Sequence, residues 1–171
     1  RKTIVVANRL AERGREVHLA FLNASYDITG TLHPAIKYFV AGRKGKLDLR
    51  VVRELREYAC AQNIGTVWAV NLYPMLYAHL ALRPYRNKIR LVGSTNITLF
   101  RNVYEQLKMH IYLPIIRRLD TFVYGSYGQM DLWKKRYKLG TAVVTVIHNG
   151  VDTEHFSTDR CRLGQVEARK Q

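Results

Sequence analysis

The chain has 171 residues, 47% of them hydrophobic, which fits one domain with a substantial core and excludes a disordered chain. Lys+Arg number 28 against Asp+Glu 13, a formal charge of +15, which attracts polyanions such as nucleic acid, anionic lipid or phosphorylated substrates and says nothing of the fold. No apolar run approaches the length needed to span a bilayer, nothing at the start reads as a signal peptide, and Cys60 and Cys161 lack metal-ligand spacing and read as free thiols of a reducing cytoplasm.

The elements follow in chain order. Ile4, Val5, Val6, Ala7, Leu10 and Ala11 make a helical apolar face that Gly14 stops. Arg1 and Lys2 put cations at the positive end of that helix with no cap before them, which reads as a cut inside an element. Val17 to Leu22 predicts a strand, and Asn23 to Gly30 a polar connection. Leu32-His33-Pro34 is extended, because the residue before proline avoids helix. Ile36 to Val40 predicts a short strand, and Gly42 to Lys46 a basic loop. Leu47 to Gln62 predicts a helix with Val51, Val52, Leu55, Tyr58 and Ala59 on one face and Asp48 in its first turn. Gly65 to Val70 predicts a strand, and Pro74 suits the first turn of a helix reaching about Leu82. Ile89 to Val92 predicts a strand. Asn102 to about Arg117 predicts a helix that Pro114 kinks or ends. Thr121 to Tyr124, Tyr127 to Tyr137 and Val143 to Ile147 predict a strand, a helix and a last strand. The tail beyond Phe156 is polar and basic, with only a weak helical pattern from Leu163 to Lys170.

Strands alternating with helices imply an α/β fold: a Rossmann-like, mostly parallel sheet with helices on both faces. Ligands of such a sheet bind outside the carboxyl ends of the strands. That rule selects Asn71 and Tyr73 after one strand, Ser94, Thr95 and Asn96 after the next, Ser126 after a third, and His148 and Asn149 after the last. Asn71, Ser94 and Asn96 belong to a class that more often satisfies loop backbone groups. Ser126 reads first as the N-cap of the helix at Tyr127, and it is not set in G-x-S-x-G. His33, His79 and His110 show no site pattern. Asn149-Gly150 tolerates positive φ and reads as a hinge, with Asp152 opening a helical turn on which Phe156 packs. No catalytic residue and no metal site can be named from the pattern.

The basic clusters are Arg43-Lys44-Gly45-Lys46, Arg83 through Arg90, Arg117-Arg118, Lys134-Lys135-Arg136 and Arg169-Lys170. None is interleaved with aromatics in the manner of a single-strand binding platform, and helix-turn-helix, zinc-finger and RNA-recognition signatures are absent. A basic α/β nucleic-acid-binding module without enzymatic activity therefore rests on charge alone. A complete nucleotide-binding Rossmann enzyme lacks its G-x-G-x-x-G loop.

Val146-Ile147-His148-Asn149-Gly150-Val151-Asp152, with Phe156 beyond, resembles the V-I-P-N-G-V-D-x-x-x-F interdomain segment of family 4 glycosyltransferases, with His148 where proline is usual. Asn8 to Val17 resembles the family's A-x-x-L-A-x-R-G-H-E-V stretch. Asn63 to Asn71 resembles P-D-V-V-H-A-H-N, with Trp68 and Val70 replacing its histidines. Leu119 to Ser126 resembles A-D-x-V-I-A-x-S, and Leu91 to Asn96 sits where T-V-H-D is common, with Thr95 in place of histidine.

The resemblance covers roughly residues 1–156. It implies the N-terminal, acceptor-side domain of a two-domain GT-B enzyme, lacking its first strand and glycine-rich loop, with residues 157–171 as a linker toward a C-terminal donor-binding domain. That domain would carry an E-x7-E motif. The implied activity is retaining hexosyl transfer from a UDP- or GDP-sugar, with no metal and no tightly bound cofactor, in bacterial glycan or lipid-linked saccharide synthesis. The implied partners are the C-terminal domain and a saccharide or lipid-linked acceptor; the +15 charge, not the resemblance, adds the expectation of a cytoplasmic enzyme held at the inner face of an anionic membrane. The chain alone is expected to be inactive as a transferase.

Overall fold

The computed structural model describes residues 2–23, 31–97, 103–139, 144–148 and 150. The expectations for Asn149, Asp152, Phe156, Cys161 and the 157–171 tail lie outside the described residues.

The order is α1 (Lys2–Glu12), β1 (His18–Phe21), β2 (Lys37–Val40), α2 (Leu49–Ala61), β3 (Thr66–Val70), α3 (Leu72–Leu82), a 3-10 turn (Arg83–Tyr85), β4 (Arg90–Ser94), α4 (Val103–Ile116), β5 (Thr121–Tyr124), α5 (Tyr127–Tyr137) and β6 (Val144–Val146). Every strand pair is parallel. Among the described residues the strands form two sheets flanked by five helices: β1-β2, and β3-β4-β5-β6 in chain order. This is the Rossmann-like α/β class expected of alternating strands and helices. β6 lies at the rim, parallel to β5, and Ile147 continues its run with an N–H donated to the Tyr124 carbonyl at 2.9 Å.

Local chemistry sets the boundaries. Gly14, at φ 71, closes α1. Asp48 is the N-cap of α2 rather than a first-turn residue: its Oδ1 accepts the Arg50 N–H at 3.1 Å and its Oδ2 the Lys44 N–H at 3.0 Å. The bond from Lys44 is the main reason its carboxyl is held below the usual carboxylate range. Ser126 caps α5 as expected, accepting the Gln129 N–H at 3.1 Å. Pro114 neither ends α4 nor stands at its middle; the helix runs two residues past it, to Ile116. A proline in the last turn forfeits only one helical hydrogen bond, while buried Ile115 and Ile116 hold that turn against the core.

The main core surrounds α3, which is apolar nearly all round. Met75, Tyr77, Ala81 and Leu82 are buried there, packed with Val51 and Val52 of α2, Leu91 of β4 and Ile116 of α4. An aromatic cluster continues it, with ring centroids 4.8 Å apart for Phe122–Tyr124, 5.7 Å for Phe122–Trp133 and 5.5 Å for Trp133–Tyr137. Burial pushes the Tyr124 hydroxyl up to about 12.

One expectation fails on α1. Ala7 and Ala11 are buried, against Ile36, Val17 and Leu19. Val5, Val6 and Leu10, from the same apolar set, stay exposed. The two alanines bring the helix onto the small β1-β2 sheet, and that sheet is too narrow to cover the larger side chains beside them.

Gly93 in β4 is required by packing. A Cβ there would lie 2.4 Å from Leu119 Cδ1, 2.9 Å from Met75 Sδ and 3.3 Å from Phe122 Cδ2. Leu119, Met75 and Phe122 are all buried and have little room to yield. Gly93→Ala is expected to destabilise the chain by about 1–3 kcal/mol through overpacking. A urea midpoint equal to that of the parent would contradict this packing.

Candidate functional site at the carboxyl edge of the sheet

Parallel pairing brings the carboxyl ends of β3, β4, β5 and β6 to one edge. Asn71 leaves β3 at φ 75 and ψ 164, a strained backbone conformation that residues with a side chain rarely adopt. Its N–H donates to the Ser94 carbonyl at 2.7 Å, and its Oδ1 accepts the Asn96 N–H at 3.3 Å. The first exit thus clamps the second. Ser94 Oγ accepts the Trp68 indole N–H at 2.9 Å. Thr95 is buried, and its Oγ1 accepts the Ile97 N–H at 3.1 Å.

Gln129 ties in the third exit. Its Nε2 donates to the carbonyls of Thr95 at 3.2 Å and Ile97 at 3.0 Å, while its Oε1 accepts the Gly125 N–H at 2.8 Å. One buried amide therefore fixes the loops after β4 and β5 relative to each other. The pattern Ser126-x-x-Gln129 carries the capping-box signature, but the glutamine reaches the N–H of Gly125 rather than that of the cap residue. At the rim, His148 meets the ring of Tyr127 with centroids 5.5 Å apart. Gly150 is exposed.

The structure therefore brings Asn71, Ser94, Thr95 and Asn96 together and joins Ser126 to them through Gln129. Tyr73 sits to one side, in the first turn of α3. Its ring lies 5.0 Å from the Arg43 guanidinium carbon and 6.5 Å from the ring of Tyr112. Arg43 is held there by Asn23 Oδ1 and the Lys46 carbonyl, each at 3.3 Å. Sequence reasoning assigned no site role to Gln129 or Arg43. The Ser-x-x-Gln spacing was a signal for the first; nothing in the spacing places Arg43 over Tyr73.

Chemically, this edge offers uncharged donors and acceptors, an exposed tyrosine and one cation. That set suits a ligand rich in hydroxyl groups. Among the described residues no group of three or more His, Cys, Asp and Glu side chains could hold a metal ion.

Residues 3–155 match the family described as Glycosyltransferase Family 4. The chain belongs to that family. A comparison with curated proteins finds no match. The glycosyltransferase domain thus presents its polar loops where an open parallel sheet binds ligands.

The Gln129 bridge is the most exacting part of this edge. Gln129→Leu would strip a partner from one buried-side N–H and two carbonyls, and is expected to cost about 1–3 kcal/mol. The amide of Gly125, whose acceptor is Gln129 Oε1, should lose hydrogen-exchange protection. Retention of parental stability and protection would show that the bridge does not organise the site.

Proposed function

We propose that this domain is the acceptor-side lobe of a two-lobed, GT-B retaining glycosyltransferase that uses a UDP- or GDP-sugar. The observation that carries the reading is the single edge shared by Asn71, Ser94, Thr95, Asn96 and Ser126 in a family 4 domain. Neutral amides and hydroxyls recognise sugar hydroxyl groups by hydrogen bonding, and a buried polar framework holds them in place before substrate arrives. The donor would be gripped by a C-terminal lobe beyond residues 157–171. Closure of the lobes across His148–Asp152 would exclude water and align the acceptor hydroxyl with the donor's anomeric carbon. No metal and no tightly held cofactor enters this scheme.

The split sheet supports a further part of the reading. Among the described residues β1 and β3 each have an unpaired edge, α1 leaves Val5, Val6 and Leu10 exposed, and Trp68 on β3 is 41% exposed. An additional parallel strand seated between β1 and β3 would unite the two sheets and cover those residues. The +15 charge supports attachment to an anionic membrane on its cytoplasmic face, where lipid-linked acceptors would be reached during glycan synthesis.

Asn96 offers the cleanest test, since its backbone N–H and not its side chain holds the Asn71 clamp. In an enzyme that joins this domain to its donor lobe, Asn96→Ala should lower kcat/KM for the acceptor up to about tenfold, the worth of one hydrogen bond. Thermal stability should stay unchanged. Undiminished turnover in Asn96→Ala, Asn71→Ala and Tyr73→Ala alike would remove the acceptor from this edge.

A further inference from the structure

The opposite edge of the same sheet carries a second polar site. Gly65, Thr66, Arg86, Lys88, Arg90 and Asp120 line an open pocket of about 420 Å³ at the amino ends of β3, β4 and β5. Thr66 and Arg90 face each other in register at the start of their strands. The pocket lies at the far ends of the strands from Asn71 and Ser94, so it is separate from the carboxyl-edge site.

Its charge is only partly compensated. Among the described residues Asp120 is the single carboxylate in the lining, and it is already engaged. Its Oδ2 accepts the Leu91 N–H at 2.7 Å, and its Oδ1 accepts from Arg86 Nη2 at 3.3 Å. The same Nη2 donates to the Arg118 carbonyl. The Nη1 of Arg86 is buried without an acceptor among the described residues. Lys88 and Arg90 are exposed. Three cations against one carboxylate leave a local charge of two. Buried His79 registers the same field: burial first, then Arg86, Arg118 and Arg83, hold its imidazole below the ordinary value.

We propose that this pocket binds a phosphate monoester group. Such a group carries nearly two negative charges at neutral pH and three acceptor oxygens. The guanidinium fork of exposed Arg90 matches those oxygens, Lys88 adds a point charge, and Arg86, held by Asp120 and the Arg118 carbonyl, adds its charge from behind. The Thr66 hydroxyl and the Asn87 amide supply neutral donors at the rim. The group could belong to a soluble phosphorylated metabolite or to a monoester lipid headgroup such as phosphatidic acid, and both present the same chemistry to the pocket. This inference does not depend on the transferase reading.

The test uses the chain with inorganic phosphate, followed by amide NMR, and with phosphatidylcholine vesicles with or without phosphatidic acid, followed by co-sedimentation. Phosphate is expected to move the amides of Gly65, Thr66, Lys88 and Arg90 in a saturable way. Lys88→Glu with Arg90→Glu should weaken binding by about tenfold or more, as expected for loss of charge-assisted bonds. Lys134→Glu with Lys135→Glu changes net charge equally at another place and should leave the affinity within about twofold if the field is local. Circular dichroism and a melting curve confirm that each variant is folded. Phosphate binding in solution assigns the site to soluble esters. Binding only to vesicles with phosphatidic acid assigns it to a headgroup. Binding to neither, or an equal loss in both double variants, overturns the proposal.

Discussion

Parallel pairing of β3, β4, β5 and β6 is the constraint on which the rest of the structure depends. Parallel strands need long crossovers, and here helices α3, α4 and α5 supply them. Because each strand starts again at the same end, every strand exit opens on one edge and every entry on the other. The two edges then diverge in chemistry. The exits carry asparagine, serine, threonine and a buried glutamine. The entries carry Arg86, Lys88 and Arg90 around a single carboxylate. Neither set would be a site if one strand ran the other way.

Close packing keeps that arrangement fixed. Leu119, Met75 and Phe122 meet over Gly93, in the middle of the sheet, and Asp120 accepts the Leu91 N–H just before β5 begins. The aromatic cluster of Phe122, Tyr124 and Trp133 seals α5 against β5. By contrast, α1 and the β1-β2 sheet form a small satellite core around Ala7, Ala11 and Ile36. The four-stranded sheet holds the polar exits, and the two-stranded one contributes Arg43 through the loop after β2.

Much of this was legible in the sequence, and the reasons are specific. β5 and α5 begin and end where expected, because a β-branched and aromatic run meets a serine cap without ambiguity. The alternation of strands and helices named the fold class, and the carboxyl-end rule selected Asn71, Ser94, Thr95, Asn96 and Ser126 as neighbours. What escaped depends on contacts between distant residues. Gln129 reaches the carbonyl of a residue 34 positions earlier, and no periodicity encodes that distance. Arg43 lies over Tyr73 because a loop after one sheet reaches a helix after the other. The apolar face of α1 is only partly buried, because the pattern of one helix does not reveal how wide its sheet is.

The direct test of this account is the strand register itself, observed in solution. Backbone NMR should show the parallel contact pattern linking Val92 with Thr121 and Phe122 with Val144, and a protected Asn71 amide bonded to Ser94. An antiparallel contact pattern between β5 and β6, or an unprotected Asn71 amide, would contradict the shared edge and the ligand site built upon it.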